Sequence, residues 1–367
     1  MPNSADPKAA ANDQTALDTF PPGQITSVLR AIDASANRAA EGLRVAEDYA
    51  RFVLDDRLLT GELKSLRHEL AETLATLPLA DRLAARDAGG DVGAAAKTAS
   101  ELARGGLADL PAANLTRAQQ ALRSLEEFTK LLDTTTAIKL ERLRYRAYIV
   151  QTALESTSRA CEALANAQLY VLLDGRRDET SFIDTVKQLI AGGCHIIQLR
   201  DKQLDDRSLL ARAKTLRQLT RGTDTLFIMN DRPDLAVLAD ADGVHVGQEE
   251  LSVHQVRAIV GTRMLVGVST HNIEQARQAV LDGAGYIGVG PTFPSATKQF
   301  EQFAGLDFVR QIANVTSLPA FAIGGIDLGN VDQVMHAGLR RVAVAGAVLN
   351  TPDIAIATRD LSDKLRA

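Results

Sequence analysis

Residues 265–293 read LVGVSTHNIEQARQAVLDGAGYIGVGPTF. Two short apolar runs, from Leu265 and from Tyr286, flank a helix-like stretch beginning at Asn272. A strand apolar on both faces belongs in a parallel sheet covered by helices, because a half-exposed strand would alternate polar and apolar residues. The same unit recurs on either side: LYVLLD from Leu169, HIIQLRD from His195, TLFIMND from Thr225, GVHVGQ from Gly243, PAFAIGGI from Pro319 and RVAVAGAVL from Arg341. Eight strand–helix units in about 200 residues predict an α/β fold, a (β/α)8 TIM barrel. A doubly wound open sheet is the rival, and the number of units favours the barrel.

Working outward, the chain changes texture near Asn166. Residues 1–165 hold 8 of the 26 glycines, and no proline occurs between Pro111 and Pro233. An Ala-, Leu-, Arg- and Glu-rich stretch without proline favours helix. The expected division is therefore a disordered lead-in over 1–23, an all-α domain over 24–165 and the barrel over 166–367. The whole chain has 367 residues, 46% hydrophobic and 24% charged, with a net charge of −5. No apolar run of about 20 residues is present to cross a membrane, and the first residues do not form a signal peptide. Two cysteines, Cys161 and Cys194, allow no disulfide framework and suit a reducing, cytoplasmic setting. The acidic balance argues against nucleic acid as a main partner, so an anionic substrate must be held by local positive charge.

In barrels the chemistry sits at the strand C-termini, and polar residues gather there. Strand two ends in Gln198, Arg200 and Lys202, strand three in Asn230 and Asp231, and strand four runs into Glu250. Strand five ends in Ser269, Thr270 and His271, and strand six runs into Thr292, Ser295, Thr297 and Lys298. Gly324-Gly325 after strand seven and Ala345-Gly346 after strand eight leave backbone N–H groups bare, the usual place for a phosphate in this architecture; tight turns alone are the simpler explanation. Arg200, Lys202 and Lys298 stand beside Asp231 and Glu250. Three cations suit a polyanion, and two carboxylates facing it require a bridging cation such as Mg²⁺; ion pairs at the barrel rim are the simpler explanation here. No nucleophile–base pair is visible. His245 and His271 read as packing or hydrogen-bonding residues.

The ordered set QLRDK, NDRPDLA, ADGVHVGQEE, GVSTH, GVGPTFPSATK and AIGGI, over about residues 168–350, resembles the thiamine-phosphate synthases. The resemblance implies condensation of hydroxymethylpyrimidine diphosphate with thiazole phosphate, releasing diphosphate. It implies that Arg200, Lys202, Asn230, Ser269 and Lys298 hold the pyrimidine diphosphate, with Gln198 facing the pyrimidine and Leu199 and Asp201 within the same motif. It implies Mg²⁺ on Asp231 and Glu250, and thiazole phosphate on Ser295, Ala296, Thr297, Gly325, Ala345 and Gly346. The family usually carries Asp at the position of Glu250, a Thr in the strand-six motif near Ser295, and a serine in the strand-eight turn, where this chain has Ala345-Gly346-Ala347. Because the attacking thiazole nitrogen carries no proton, no general base is needed. The cations and Mg²⁺ would stabilise the departing diphosphate.

The helical part contains a repeat. NRAAEGLRVAEDYARF (Asn37–Phe52) aligns with TRAQQALRSLEEFTKL (Thr116–Leu131) at an offset of 79, with Arg38/Arg117, Leu43/Leu122, Arg44/Arg123 and Glu47/Glu126 identical. Asn37, Glu41, Arg44 and Asp48 share one helix face, and Thr116, Gln120, Arg123 and Glu127 share its counterpart. These faces form either solvated ion pairs or a shared polar interior. With RDAGGDVG (Arg86–Gly93) and LERLRYRAY, the repeat resembles the small helical hydroxymethylpyrimidine-phosphate kinase found fused ahead of thiamine-phosphate synthase. The resemblance implies ATP-dependent phosphorylation of the pyrimidine monophosphate. Arg38, Arg44, Arg86, Arg117, Arg123 and the Gly89–Gly93 loop would contact phosphate, and Glu47, Asp87 and Asp91 are candidate Mg²⁺ contacts. No G-x-x-x-x-G-K-[ST] loop supports an ATP site independently. A synthase whose helical part only scaffolds or forms a homo-oligomer is the alternative. A barrel that binds thiazole phosphate for regulation is a third, opposed by the retained QLRDK, Asn230-Asp231 and Lys298.

Overall fold

The computed structural model describes residues 21–87, 105–294 and 304–367. The expected lead-in falls almost wholly outside them. Two compact units are formed, one from residues up to Val53 together with 60–151, the other from Leu54–Leu59 and 152–367.

The second unit contains a closed parallel barrel in the order β1-β2-β3-β4-β5-β6-β7-β8. The strands are β1 (Leu169–Leu173), β2 (Ile196–Leu199), β3 (Leu226–Asn230), β4 (Gly243–Val246), β5 (Leu265–Thr270), β6 (Tyr286–Val289), β7 (Ala320–Ile323) and β8 (Val342–Val344). All eight predicted runs form strands, and the pairing of Leu169 with Val342 closes the ring, which an open sheet would leave unpaired. In chain order, the helices are α1 (Pro22–Phe52), α2 (Arg57–Ala75), α3 (Leu79–Ala84), α4 (Asp109–Thr129) and α5 (Thr134–Ala163), then α6 (Glu179–Ala191), α7 (Asp206–Thr220), α8 (Pro233–Leu238), α9 (Val253–Val260), α10 (Ile273–Leu281), α11 (Gly305–Val315), α12 (Val331–His336), α13 (Gly346–Leu349) and α14 (Ile354–Arg366). Several start on side chains that accept orphan amides: Asp178 from Ser181, Asp205 from Ser208, Ser252 from Gln255 and Asn272 from Gln275. The barrel is filled by Tyr170, Ile196, Ile228, Tyr286, Phe321 and Ala343, contributed by alternate positions of different strands.

Packing divides the chain inside α5, between Gln151 and Thr152, whereas composition changes at Asn166. Residues 54–59 also pack with the barrel. Buried Asp56 accepts the Leu59 amide at 2.8 Å, the Thr316 hydroxyl at 2.7 Å and the Ser317 amide at 2.9 Å.

In the helical unit α1 packs on α4. Ser35 meets Ser124, while Gly42 lies against Asn114 and Ala118, so the two helices run antiparallel. An added methyl at Gly42 would collide with the Asn114 carbonyl. The shared polar interior expected as one reading is not made by the faces named for it. Asn37, Glu41, Arg44, Thr116, Gln120, Arg123 and Glu127 are exposed, with solvated pairs Arg44–Asp48 at 3.3 Å and Arg123–Glu127 at 2.7 Å. One position further round, the repeat-related Glu47 and Glu126 are buried. Each meets an arginine of another helix: Glu47 binds Arg67 of α2 at 2.8 Å, and Glu126 binds Arg144 of α5 at 3.0 Å.

Candidate functional site

Strand register brings the predicted residues to one end of the barrel. Tyr170 is level with Ile196, Gln198 with Ile228, Asn230 with His245, His245 with Gly267, and Ser269 with Gly288. Beyond β2, Asp201 is committed to the loop: its carboxylate accepts the amides of Gly175, Gln203 and Leu204 at 2.7–2.9 Å. Burial favours its neutral form, but these amides hold the carboxyl below its ordinary range. Asp201 thereby shapes the segment carrying Arg200 and Lys202, both exposed, while Leu199 is buried in the strand.

Asp231 follows β3 in the left-handed region at φ +59°, a conformation a non-glycine residue holds only when its surroundings enforce it. Its amide donates to the His245 carbonyl at 2.8 Å, and Asn230 Nδ2 donates to its Oδ2 at 2.6 Å. Lys202 Nζ stands 3.6 Å from the same oxygen. Burial and the neighbouring Glu250 carboxylate raise the Asp231 carboxyl above its usual range, despite the opposing pull of Lys202 and Arg200. The Glu250 carboxylate folds over Gly247, where an added methyl would strike it. Two acids and two cations are thus brought together here.

Across the mouth, Gly324 and Gly325 sit at φ +101° and +63°, in the left-handed region that favours glycine. A methyl on Gly325 would strike the Pro294 carbonyl. Among the described residues, neither the Gly325 nor the Gly346 amide has a backbone acceptor. Ala345 precedes Gly346 in the turn after β8. Ser295, Ala296, Thr297 and Lys298 lie outside the described residues.

Beneath the mouth lies a hydrogen-bonded row that the sequence reading did not find. Gln198 Nε2 donates to the Tyr170 hydroxyl at 2.7 Å. The Tyr170 and Tyr286 hydroxyls are 3.0 Å apart, Tyr286 is 3.2 Å from His245 Nδ1, and His245 Nε2 is 2.9 Å from Ser269 Oγ. Burial, reinforced by Arg200, pushes the His245 imidazole down to about 4. Burial raises both tyrosines. The available signal was polar chemistry: a tyrosine inside an apolar strand needs a partner for its hydroxyl. His271 makes a separate contact, Nδ1 to the Gly290 carbonyl at 2.6 Å.

In the helical unit, several arginines expected at phosphate already carry acidic partners. Arg86 forms a two-point pair with Asp33 at 2.7 and 3.0 Å, Arg44 pairs with Glu47 and Asp48, and Arg123 pairs with Glu126 and Glu127. Arg38 and Arg117 lie on the exposed surface. Asp87 meets Arg30 at 3.6 Å, while Gly89–Gly93 and Asp91 lie outside the described residues.

A closed parallel barrel with cations, acids and glycine turns gathered over a polar floor at the strand C-termini has the layout of a barrel enzyme. The comparisons then narrow the class. The TMP-TENI domain, thiamine monophosphate synthase, matches residues 169–348, and the ThiD2 family matches residues 30–153. A thiamine-phosphate synthase of Rhodopirellula baltica is 46% identical over 331 residues, covering 88% of each chain. One of Synechocystis is 39% identical over 340 residues, covering 93% of this chain and 97% of its own. The solved thiamine phosphate pyrophosphorylase of Pyrococcus furiosus is 33% identical, with a TM-score of 0.50, covering 55% of this chain and 98% of that one. The chain belongs to the thiamine-phosphate synthase family. Among the described residues, no helix is long and apolar enough to cross a membrane.

Proposed function

We propose that the barrel joins 4-amino-5-hydroxymethyl-2-methylpyrimidine diphosphate to thiazole phosphate, giving thiamine phosphate and diphosphate. The observation that carries the assignment of roles is the cluster of Lys202, Arg200, Asp231 and Glu250 at the mouth, opposite the Gly325 and Gly346 amides. Arg200 and Lys202, with Lys298, bind the diphosphate and stabilise the charge that grows on it as it leaves. Asn230 and Ser269 add hydrogen bonds, and Gln198 reads the pyrimidine. Gly325, Ala345 and Gly346 hold the thiazole phosphate through backbone N–H groups, helped by Ser295, Ala296 and Thr297.

Asp231 and Glu250 suit Mg²⁺: they are hard oxygen donors whose mutual repulsion a cation relieves. Among the described residues no third acidic, histidine or cysteine ligand joins them, so substrate oxygens and water would have to complete such a shell. Bound there, the ion supplies Lewis-acid stabilisation of the diphosphate. The helical unit phosphorylates the pyrimidine monophosphate with ATP; its ThiD2 match and the fit of that product to the barrel's substrate support this reading. Lys202→Ala tests the barrel assignment. Turnover at saturating thiazole phosphate should fall on the order of 100-fold, the scale of losing one electrostatic donor to a transition state. Unchanged turnover removes Lys202 from the reaction.

A further inference from the structure

We propose that the row Gln198–Tyr170–Tyr286–His245–Ser269 is a one-way hydrogen-bond relay that aims the Ser269 proton at the substrate's diphosphate. Tyr286 and His245 then act as positioning residues for the reaction. The proposal deepens the synthase reading and rests on it.

The direction follows from counting protons. Gln198 Nε2 donates to the Tyr170 oxygen. The Tyr170 hydroxyl must send its single proton elsewhere, and Tyr286 is 3.0 Å away. The Tyr286 oxygen has then accepted, so its own proton goes to His245 Nδ1 at 3.2 Å. A histidine that accepts at Nδ1 carries its proton on Nε2 when neutral. Nε2–H donates to Ser269 Oγ at 2.9 Å. The Ser269 hydroxyl is then left to donate outward.

The two ends of the row match the two ends of the substrate. Gln198 Oε1 is buried without a partner among the described residues, which leaves it to take an N–H donor from the substrate, and the exocyclic amine of the pyrimidine is such a donor. A diphosphate oxygen accepts and cannot donate, so it requires the Ser269 proton. Were the Gln198 amide turned round, every bond in the row would reverse: His245 would carry its proton on Nδ1, and Ser269 would donate into the protein. Neutral imidazole is the form that transmits direction, because a doubly protonated ring would donate at both ends. Gly267 reserves the space for this arrangement, since a methyl there would overlap the Tyr286 ring.

The test reads the His245 tautomer by ¹⁵N NMR in the ligand-free full chain at neutral pH, with the resonance assigned by its loss in His245→Gln. The expected result is the neutral Nε2–H tautomer. The Nδ1–H tautomer, alone or in comparable amount, overturns the relay. Because no substrate is used, that outcome is separate from any failure of the synthase reading. Kinetics give the second arm. Tyr286→Phe keeps the ring and removes the hydroxyl. It should lower kcat/KM for the pyrimidine diphosphate on the order of 10-fold, the scale of a hydrogen bond to a charged group. It should also admit the Nδ1–H tautomer. In a Ser269→Ala background the same substitution should cost nothing further. Losses that multiply in the double variant overturn the coupling, whatever the fold tolerates in either single one.

Discussion

His245 sits where chemistry and stability meet. Its ordinary value is 6.5, and burial lowers it to about 4. The unfolded chain therefore binds more protons between those values, so stability rises with pH across pH 4–6.5 and is lost as pH falls through that window. The full effect is about 3 kcal/mol, from a shift of about 2.5 pH units at 1.36 kcal/mol each. Denaturant unfolding of the whole chain should show this dependence, and His245→Gln should flatten it. A slope unchanged in His245→Gln would assign the window to other groups. At this scale the sequence was partly legible. Arg200, Lys202, Asp231 and Glu250 could be placed at strand ends because loops after β-strands of a barrel share one rim. Tyr170 and Tyr286 could not, because in strands apolar on both faces alternation does not reveal which side chains point inward.

Elements form where local and tertiary preferences agree. The eight strands were legible because each is a short, mainly apolar run, most of them ended by Gly, Asp or Asn. The repeat Asn37–Phe52 and Thr116–Leu131 was also legible and gives two long helices that pack antiparallel. Which of its polar positions lay inside was not, because Glu47 and Glu126, besides Arg44 and Arg123 on their own helices, meet Arg67 of α2 and Arg144 of α5, which no spacing within one helix reveals. Between β5 and β6 the fit is close: Gly267 is paired with Tyr286 across the ladder and lies beneath its ring. Gly267→Ala must displace that ring. The overpacking should destabilise the barrel by about 1–3 kcal/mol and separate Tyr286 from His245. Thermal unfolding and the His245 resonance together check this. A variant that keeps both its Tm and the His245 signal would show that the space is not needed.

At the scale of the whole molecule, composition and packing draw the boundary differently. Composition changes where helix gives way to strand, at Asn166. Packing changes where side chains begin to serve the barrel, and Asp56, held by Thr316 and Ser317, lies far from them in sequence. Such a contact between distant residues leaves no local pattern to read. The mild acidity of the chain argued against a broad basic surface and left room for focused positive charge, which Arg200 and Lys202 supply beside Asp231 and Glu250. The most direct measurement gives the purified full chain pyrimidine diphosphate, thiazole phosphate and Mg²⁺, and quantifies products by chromatography. Pyrimidine monophosphate with ATP, in place of the pyrimidine diphosphate and with thiazole phosphate and Mg²⁺ kept, serves as a second arm for the helical unit. The account predicts thiamine phosphate and diphosphate in equal amounts from the first arm, and thiamine phosphate from the second only when ATP is present. Absence of thiamine phosphate from the first arm would contradict it.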